Sequence, residues 1–264
     1  MKVFISVDIE GITGVTAWSE TGLGNHDYIQ FAEQMTKEAV AACEGAIAIG
    51  AKEILIKDAH DSARNIDITK IPRCAKLSRG WTSTPDSMVA GLDETFDAAI
   101  FIGYHSGAGY DGSPLAHTMN GSNNYMKVNG ELASEFVINS YLAANYGVPV
   151  VFLSGDKMLC ETAKKFNKNI ETVAVKEGVG GATISINPEL SCELIKEGVK
   201  NALKHISACK IDIPERFEVE INYKEHNSAK RASYFPGVTQ TGSHTVVYTA
   251  DNIDEFSVTR MFIL

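Results

Sequence analysis

The sequence has 264 residues, of which 44% are hydrophobic and 22% are charged. This length and composition are typical of a globular protein with one large α/β domain, or with a large domain and a small one. The formal net charge of −9 argues against nucleic acid or an anionic membrane as the main partner, because both bind concentrated basic surfaces.

The first predicted element is a buried strand over residues 2–7, which ends at the acidic residues Asp8 and Glu10. These charges interrupt the apolar stretch, so the segment does not have the pattern of a signal peptide. No later window approaches the roughly 18 apolar residues that a membrane-spanning helix requires. We therefore expect the protein to have no membrane partner.

Helices and strands alternate along the next part of the chain. An amphipathic helix is predicted from Asp27 to about Gly50, since apolar residues recur there at three- and four-residue spacing. The later predicted strands cover EILIK, residues 75–77, AAIFIGYH, VPVVFLSGD and ETVAVK. A glycine-rich loop is predicted over 106–124. The later predicted helices lie near 87–95, over 131–147, near 157–166 and over 188–206. The alternation predicts an α/β fold, with a mostly parallel sheet and helices on both faces.

A break is predicted at Pro214, after which the pattern is strand, helix, strand, helix. We therefore predict an α/β catalytic domain over residues 1–213. A small appended α/β unit is predicted over residues 214–264, and it is a candidate for oligomer contacts.

The cysteines are an odd number, widely scattered, and none forms a CxxC pair: Cys43, Cys74, Cys160, Cys192 and Cys209. This pattern argues against a disulfide framework and against a thiolate zinc site. It is typical of free cysteines in a reducing compartment, which predicts a cytoplasmic protein.

Polar side chains follow three of the predicted strands, at the point where each strand ends. Asp8 and Glu10 follow the first strand, Asp58 and His60 follow the second, and His105 ends the third strong strand. In an open α/β sheet, ligands bind at the carboxyl ends of the strands. Each residue alone is an ordinary loop residue, but a parallel sheet would bring these side chains together.

The chemistry of this set favours a metal. Asp8 and Glu10 would project to the same side of an extended chain, and two close carboxylates repel unless a cation lies between them. Imidazoles from His60 and His105 would complete a mixed nitrogen and oxygen site, which suits zinc better than calcium or magnesium. More than four candidate ligands allow two metals that share a carboxylate, activate water and polarise a carbonyl.

His117 lies in the glycine-rich loop and is a candidate for proton transfer near a bound substrate. The alternative is a loop histidine bonded to the backbone. The loop contains neither a GxxxxGK[ST] nor a helix-opening GxGxxG pattern, so no phosphate-binding motif is present.

Five segments resemble the zinc-dependent D-aminopeptidase family, DppA type: SVDIEG (6–11), KDAH (57–60), GYH (103–105), AHTMNG (116–121) and GELASEFVINSYLA (130–143). The resemblance runs along nearly the whole chain and keeps the order of the motifs. It implies a co-catalytic site with two zinc ions per subunit. It also implies a homo-oligomer, a decamer enclosing its active sites, and a preference for short peptides of D-amino acids.

The resemblance also implies roles for individual residues. Asp8 would bridge the two zinc ions, Glu10 and His105 would complete one of them, and His60 and Glu135 would complete the other. Glu131, four residues before Glu135, is the alternative helix ligand.

The same family has a catalytic histidine that His117 would match. A nucleophile, a general acid/base and an oxyanion stabiliser all remain open as its role.

The leading hypothesis is therefore a zinc metallo-aminopeptidase that hydrolyses N-terminal residues from short peptides, possibly D-amino-acid peptides. A two-metal phosphoesterase is the alternative enzyme, although the ligands have no evident basic phosphate clamp. The remaining alternative is a metal-binding assembly protein that catalyses no reaction.

Overall fold

The computed structural model describes residues 1–264. Its strands are β1 (Lys2–Val7), β2 (Glu53–Asp58), β3 (Ala75–Ser78), β4 (Ala98–Tyr104), β5 (Asn123–Val128), β6 (Glu131–Leu132), β7 (Val150–Asp156), β8 (Glu171–Val179), β9 (Ala182–Ser185), β10 (Phe217–Tyr223), β11 (Thr239–Gln240) and β12 (Thr245–Ala250). Its helices are α1 (Tyr28–Ala48), α2 (Glu135–Asn145), α3 (Lys157–Phe166), α4 (Pro188–Ala202), α5 (His226–Ala232) and α6 (Ile253–Ile263). No helix has the length and apolar character needed to cross a bilayer.

The larger sheet has seven strands in the order β3-β2-β1-β4-β7-β8-β9. All neighbouring pairs are parallel except β8 and β9. Helices α1 and α4 pack on one face and α2 and α3 on the other, each pair within its own apolar cluster. Strands β4 and β7 are buried along their whole length, because both faces of the sheet are covered. The predicted α/β fold with a mostly parallel sheet is confirmed.

The smaller sheet is antiparallel, in the order β11-β12-β10-β5-β6. Three of its strands come from the last 51 residues of the chain, and β5 and β6 come from the middle. The C-terminal segment therefore shares its sheet with residues of the predicted catalytic domain. The division into 1–213 and 214–264 stays a prediction.

The segment before α2 differs from the predicted loop and long helix. It forms a hairpin of β5 and β6, and the helix begins only at Glu135. The turn of the hairpin is Asn129-Gly130, with φ angles of 52° and 86°. An Asn-Gly pair between alternating apolar and polar residues is the sequence signal for such a turn, but the sequence analysis predicted no hairpin there.

The helix predicted near 87–95 is reduced to a 3-10 turn at Ser87–Val89. Gly91 has a φ of 98°, which is outside the helical range and ends regular structure there.

The strand order reverses at β1, which lies between β2 and β4. The chain thus leaves β1 in one direction across the sheet and later returns to its other side. Such a switch point opens a crevice at the carboxyl ends of the strands. Asp8 and Glu10 follow β1 at this crevice, with His60 and His105 following its two neighbours.

Candidate metal centre

The structure brings together all six side chains that were predicted as ligands or catalyst: Asp8, Glu10, His60, His105, His117 and Glu135. The strand ends of the larger sheet supply four of them, α2 supplies one and the loop after β4 supplies one. Five are buried, and His117 is partly exposed. Their roles as ligands and catalyst stay predictions.

The segment that carries the first two carboxylates is held against β4 by backbone hydrogen bonds. The N–H of Asp8 donates to the carbonyl of Ile102 at 2.9 Å, and that of Gly11 donates to Gly103 at 2.8 Å. A Cβ atom on Gly11 would lie 1.8 Å from the carbonyl oxygen of Tyr104. Only glycine permits this close approach, which carries the extended chain past the end of β1.

A buried lysine holds the same segment from the other side. The Lys176 ammonium donates to the carbonyls of Glu10 and Val15, the second at 2.6 Å. Burial lowers the pKa of Lys176 to about 8. Sequence analysis missed this residue, and the available signal was a lysine directly after the apolar residues Val173, Ala174 and Val175 of β8.

His60 faces two carboxylates through one ring nitrogen. Its Nδ1 lies 3.2 Å from Oδ1 of Asp8 and 2.9 Å from Oε2 of Glu10. Its Nε2 lies 3.0 Å from the carbonyl oxygen of Thr21, which can only accept a hydrogen bond. Nε2 therefore donates to this carbonyl, and Nδ1 faces the two carboxylates.

His105 has the same arrangement on the other side of Asp8. Its Nδ1 donates to the carbonyl of Ser106 at 2.9 Å. Its Nε2 lies 3.5 Å from Oδ2 of Asp8 and 3.5 Å from Oε2 of Glu135. Histidines that bind metals through one nitrogen commonly donate from the other to a carbonyl in this way.

His117 is the third such ring. Its Nδ1 donates to the carbonyl of Leu115 at 2.9 Å, and its Nε2 lies 3.5 Å from Oε1 of Glu135. The ring stacks on His105 with centroids 4.3 Å apart, and Trp18 contacts it edge-on. The His117 side chain is 13% exposed, more than the other histidines of the group.

In the absence of a cation, the pKa values of the buried carboxylates and imidazoles are strongly shifted. Burial raises the pKa of Asp8 well above its ordinary value, and the Glu10 carboxylate raises it further. Burial lowers the pKa of His105, but Glu135 and Glu10 outweigh this effect and raise it to about 10. Carboxylates this close to one another favour either bound protons or a bound cation.

Two buried atoms of the group make no hydrogen bond: Oε2 of Glu10 and Nε2 of His105. Leaving a buried polar atom without a partner costs about 1–3 kcal/mol. Both atoms are of the type that binds zinc, and both face into the group. The residues present therefore fit zinc.

The ligand atoms form three overlapping groups, and the atoms within each group lie within 4.8 Å of one another. Two of the groups share Asp8: Asp8, Glu10 and His60 form one, and Asp8, His105 and Glu135 form the other. The third joins Glu10 with His105 and His117. The division of the ligands between two zinc ions that the resemblance implies, Glu10 with His105 and His60 with Glu135, stays a prediction.

The two glutamates considered for the same role lie in different places. Glu131 is exposed in β6, whereas Glu135 is buried in the first turn of α2. Oε1 of Glu135 also accepts the backbone N–H of Met119 at 2.7 Å. The structure thus brings Glu135 and not Glu131 into the group.

Asp58, which also ends a strand, lies outside the group. Its carboxylate accepts the backbone N–H groups of Asn65 and Ile66 at 2.6 and 2.8 Å. The side-chain amide of Asn65 in turn donates to the carbonyl of His60 at 2.8 Å. Asp58 therefore supports the turn that carries His60.

Comparisons with known proteins found matches along nearly the whole chain. The model of the Peptidase M55 family, described as D-aminopeptidase, matches residues 1–262. The D-aminopeptidase of Bacillus subtilis (strain 168) is 31% identical over 258 residues, which cover 97% of this chain and 93% of the relative. The solved structure of the Zn-dependent D-aminopeptidase DppA from Bacillus subtilis, a self-compartmentalizing protease, aligns with a TM-score of 0.93 at 30% identity. That alignment covers 100% of this chain and 96% of the other.

Proposed function

The chain belongs to the D-aminopeptidase family, and from this premise we propose that it removes N-terminal residues from short peptides by zinc-dependent hydrolysis. One observation carries the proposal. His60, His105 and His117 each donate one ring N–H to a backbone carbonyl and turn the other nitrogen toward buried carboxylates. This is the arrangement of metal-binding and proton-transferring imidazoles, which a purely structural cluster does not need.

We propose two zinc ions per subunit. Asp8, Glu10 and His60 would hold one, and His105 and Glu135 would hold the other with Asp8 as the shared ligand. Two of the three three-residue groups support this division, because both contain Asp8, and the third places Glu10 close to His105 and His117. Zinc at such a site lowers the pKa of water and polarises a carbonyl.

His117 is the proposed catalytic residue. Its Nδ1 is engaged with the carbonyl of Leu115, so Nε2 is the nitrogen that exchanges a proton. We propose that Nε2 takes a proton from the attacking water and passes it to the leaving amine. The Glu135 carboxylate, 3.5 Å from Nε2, would stabilise the protonated ring.

The substrate preference and the oligomeric state are proposed from the similarity to the relatives. We propose a preference for D-amino-acid peptides, as the family description indicates, and a homo-oligomer, with the decamer as the expected size. The exposed aromatic rings of Tyr234 and Phe262 in the C-terminal segment support oligomer contacts, since exposed apolar groups commonly mark interfaces. A cytoplasmic location is supported by the free state of all five cysteines.

The test is to purify the protein without chelator, measure its zinc content, and assay D- and L-aminoacyl p-nitroanilides. We expect about two zinc ions per chain and hydrolysis that a chelator abolishes, faster for the D-substrate. Protein without bound metal and without chelator-sensitive hydrolysis would refute the proposal. Faster turnover of p-nitrophenyl phosphate would instead favour the phosphoesterase, and bound zinc without any turnover would favour an assembly protein.

A further inference from the structure

A buried carboxylate outside the proposed ligands lies at the end of β7, the strand that neighbours β4. This residue, Asp156, is fully buried, and both of its side-chain oxygens accept hydrogen bonds from Ser106, the residue after His105. Oδ2 accepts the backbone N–H of Ser106 and Oδ1 accepts its hydroxyl, each at 2.6 Å. One side chain therefore holds Ser106 at two points.

Ser106 in turn orients a proposed zinc ligand. Its carbonyl oxygen accepts the Nδ1–H of His105 at 2.9 Å. Nε2 of the same ring is left to face Asp8 and Glu135, each at 3.5 Å. A metal-binding histidine depends on such an outer partner for its ring orientation, and loss of the partner typically lowers metal affinity by about 10- to 100-fold.

Two glycines allow the loop to pack closely around this contact. A Cβ atom on Gly112 would lie 2.4 Å from Oγ of Ser106 and 3.0 Å from Oδ1 of Asp156, so only glycine leaves room for their hydrogen bond. A Cβ atom on Gly107 would lie 2.8 Å from Cα of Ser134, the residue before helix α2. The chain on either side of the Ser106 carbonyl is thus fixed, by Asp156 before it and by the start of α2 after it.

Asp156 also caps helix α3, but capping alone does not require a buried carboxylate. Its Oδ1 accepts the backbone N–H of Leu159 at 2.9 Å. Asparagine caps helices about as well as aspartate and has no charge to bury. The other oxygen, Oδ2, contacts Ser106 and not the helix. The carboxylate therefore adds a second acceptor directed at Ser106.

The same carboxylate lies near the lysine that supports Glu10. Asp156 and Lys176 are partners across β7 and β8. Burial lowers the pKa of Lys176 to about 8, and the charge of Asp156 opposes this effect. An experiment on Asp156 must therefore separate its contact with Ser106 from its charge beside Lys176.

We propose that Asp156 is a positioning residue, which fixes the His105 ring for zinc through Ser106. The inference rests on the proposed zinc-dependent function and adds to it a residue that is not itself a proposed ligand. Without the carboxylate, the Ser106 N–H loses its acceptor, and the carbonyl that holds the ring is less firmly fixed.

The first test is Asp156→Asn, because asparagine keeps the cap of α3 but lacks the second acceptor oxygen. Metal-depleted protein is titrated with zinc in competition with a chromogenic chelator. We expect at least one of the two zinc ions to bind about 10- to 100-fold more weakly than in the wild type.

Asn187→Ala is the control for general destabilisation. Asn187 caps α4, on the opposite face of the sheet from α2 and α3, and its loss should lower the urea midpoint without weakening zinc binding. Unchanged zinc affinity in Asp156→Asn, or equal weakening in Asn187→Ala, would overturn the positioning role. Wild-type protein that binds no zinc would refute the proposed function itself, and this inference with it.

The second test is Ser106→Ala, which leaves the charge beside Lys176 in place. We expect zinc to bind about fivefold more weakly, because one of the two hydrogen bonds to Asp156 is lost. Ser191→Ala is the matched control, since Ser191 is also buried and its hydroxyl donates to a buried carboxylate, that of Glu38. This control should keep the zinc affinity of the wild type. Unchanged zinc affinity in Ser106→Ala would overturn the route through Ser106.

Discussion

The proposed zinc site joins two regions of the molecule that are built in different ways. The strand-end region is the carboxyl edge of the larger sheet, and it carries Asp8, Glu10, His60 and His105. The connecting region is residues 106–135, and it carries His117 and Glu135. The first is positioned by parallel strands that pair in the central sheet. The second is positioned through the smaller sheet, where β5 pairs with β10 from far along the chain.

This difference indicates that the two regions have different functions. The strand-end region is buried and tied to the sheet backbone, so it presents ligands in nearly fixed positions. The connecting region supplies the partly exposed His117. Binding of metal is thus expected to depend most on the first region, and turnover on the second.

The largest effect is expected for Asp8→Ala. Asp8 belongs to both ligand groups, so its loss should release zinc and lower kcat/KM on the order of 10⁴-fold or more. Zinc analysis and peptide hydrolysis measure the two effects. Asp27→Ala removes an exposed carboxylate as the control and should change neither. Full zinc content in Asp8→Ala would mean that the strand-end region does not hold the metal.

His117→Ala should separate turnover from metal binding. We expect kcat to fall by about 10² to 10⁴-fold because proton transfer is lost, while zinc content stays the same. His26→Ala, which removes a fully exposed ring, is the control. Zinc loss as large as in Asp8→Ala would instead identify His117 as a ligand, and the proposed contrast between the regions would fail.

Two buried lysines provide a matched test of how the strand-end region is held. Lys176 donates to the carbonyls of Glu10 and Val15, whereas Lys57 donates to those of Asp58 and Gly80. Each Lys→Met variant should lower the free energy of unfolding by about 1–3 kcal/mol, because carbonyls lose their donor.

Only Lys176→Met should also weaken zinc binding, by about 10- to 100-fold, since the ligand Glu10 loses its support. Competition with a chromogenic chelator measures the affinity. The same loss of zinc affinity in both variants would show that general destabilisation, and not positioning of Glu10, is the cause.

The smallest effect is expected in the turn of the connecting region. Gly130 has a φ of 86°, so Gly130→Ala should lower the free energy of unfolding by about 1 kcal/mol. Gly181→Ala is the control, because Gly181 is a hairpin glycine without a positive φ and without atoms near an added Cβ. Urea unfolding measures both. Equal destabilisation would contradict the assigned role of the turn.

The sequence was most informative where structure is local. The strand before Asp8 and the strands EILIK and AAIFIGYH lie where the apolar runs predicted them, because buried parallel strands have nearly continuous apolar sequences. Their polar ends identified four residues of the candidate site. The β5–β6 hairpin was missed because the predicted helix began at residue 131 and covered β6, while no element was predicted for residues 125–130. The Asn129-Gly130 turn signal between them was not used.

The sequence by itself determined the α/β fold, the candidate metal ligands at the strand ends and, through family resemblance, the zinc hydrolase hypothesis. Only the tertiary structure decided that Glu10 faces His60, that Glu135 and not Glu131 enters the group, and that Lys176 supports the loop. The physical reason is that strand periodicity is a local property of the chain. The direction in which a side chain points across the crevice depends on the neighbouring strands and on a second sheet assembled from distant segments.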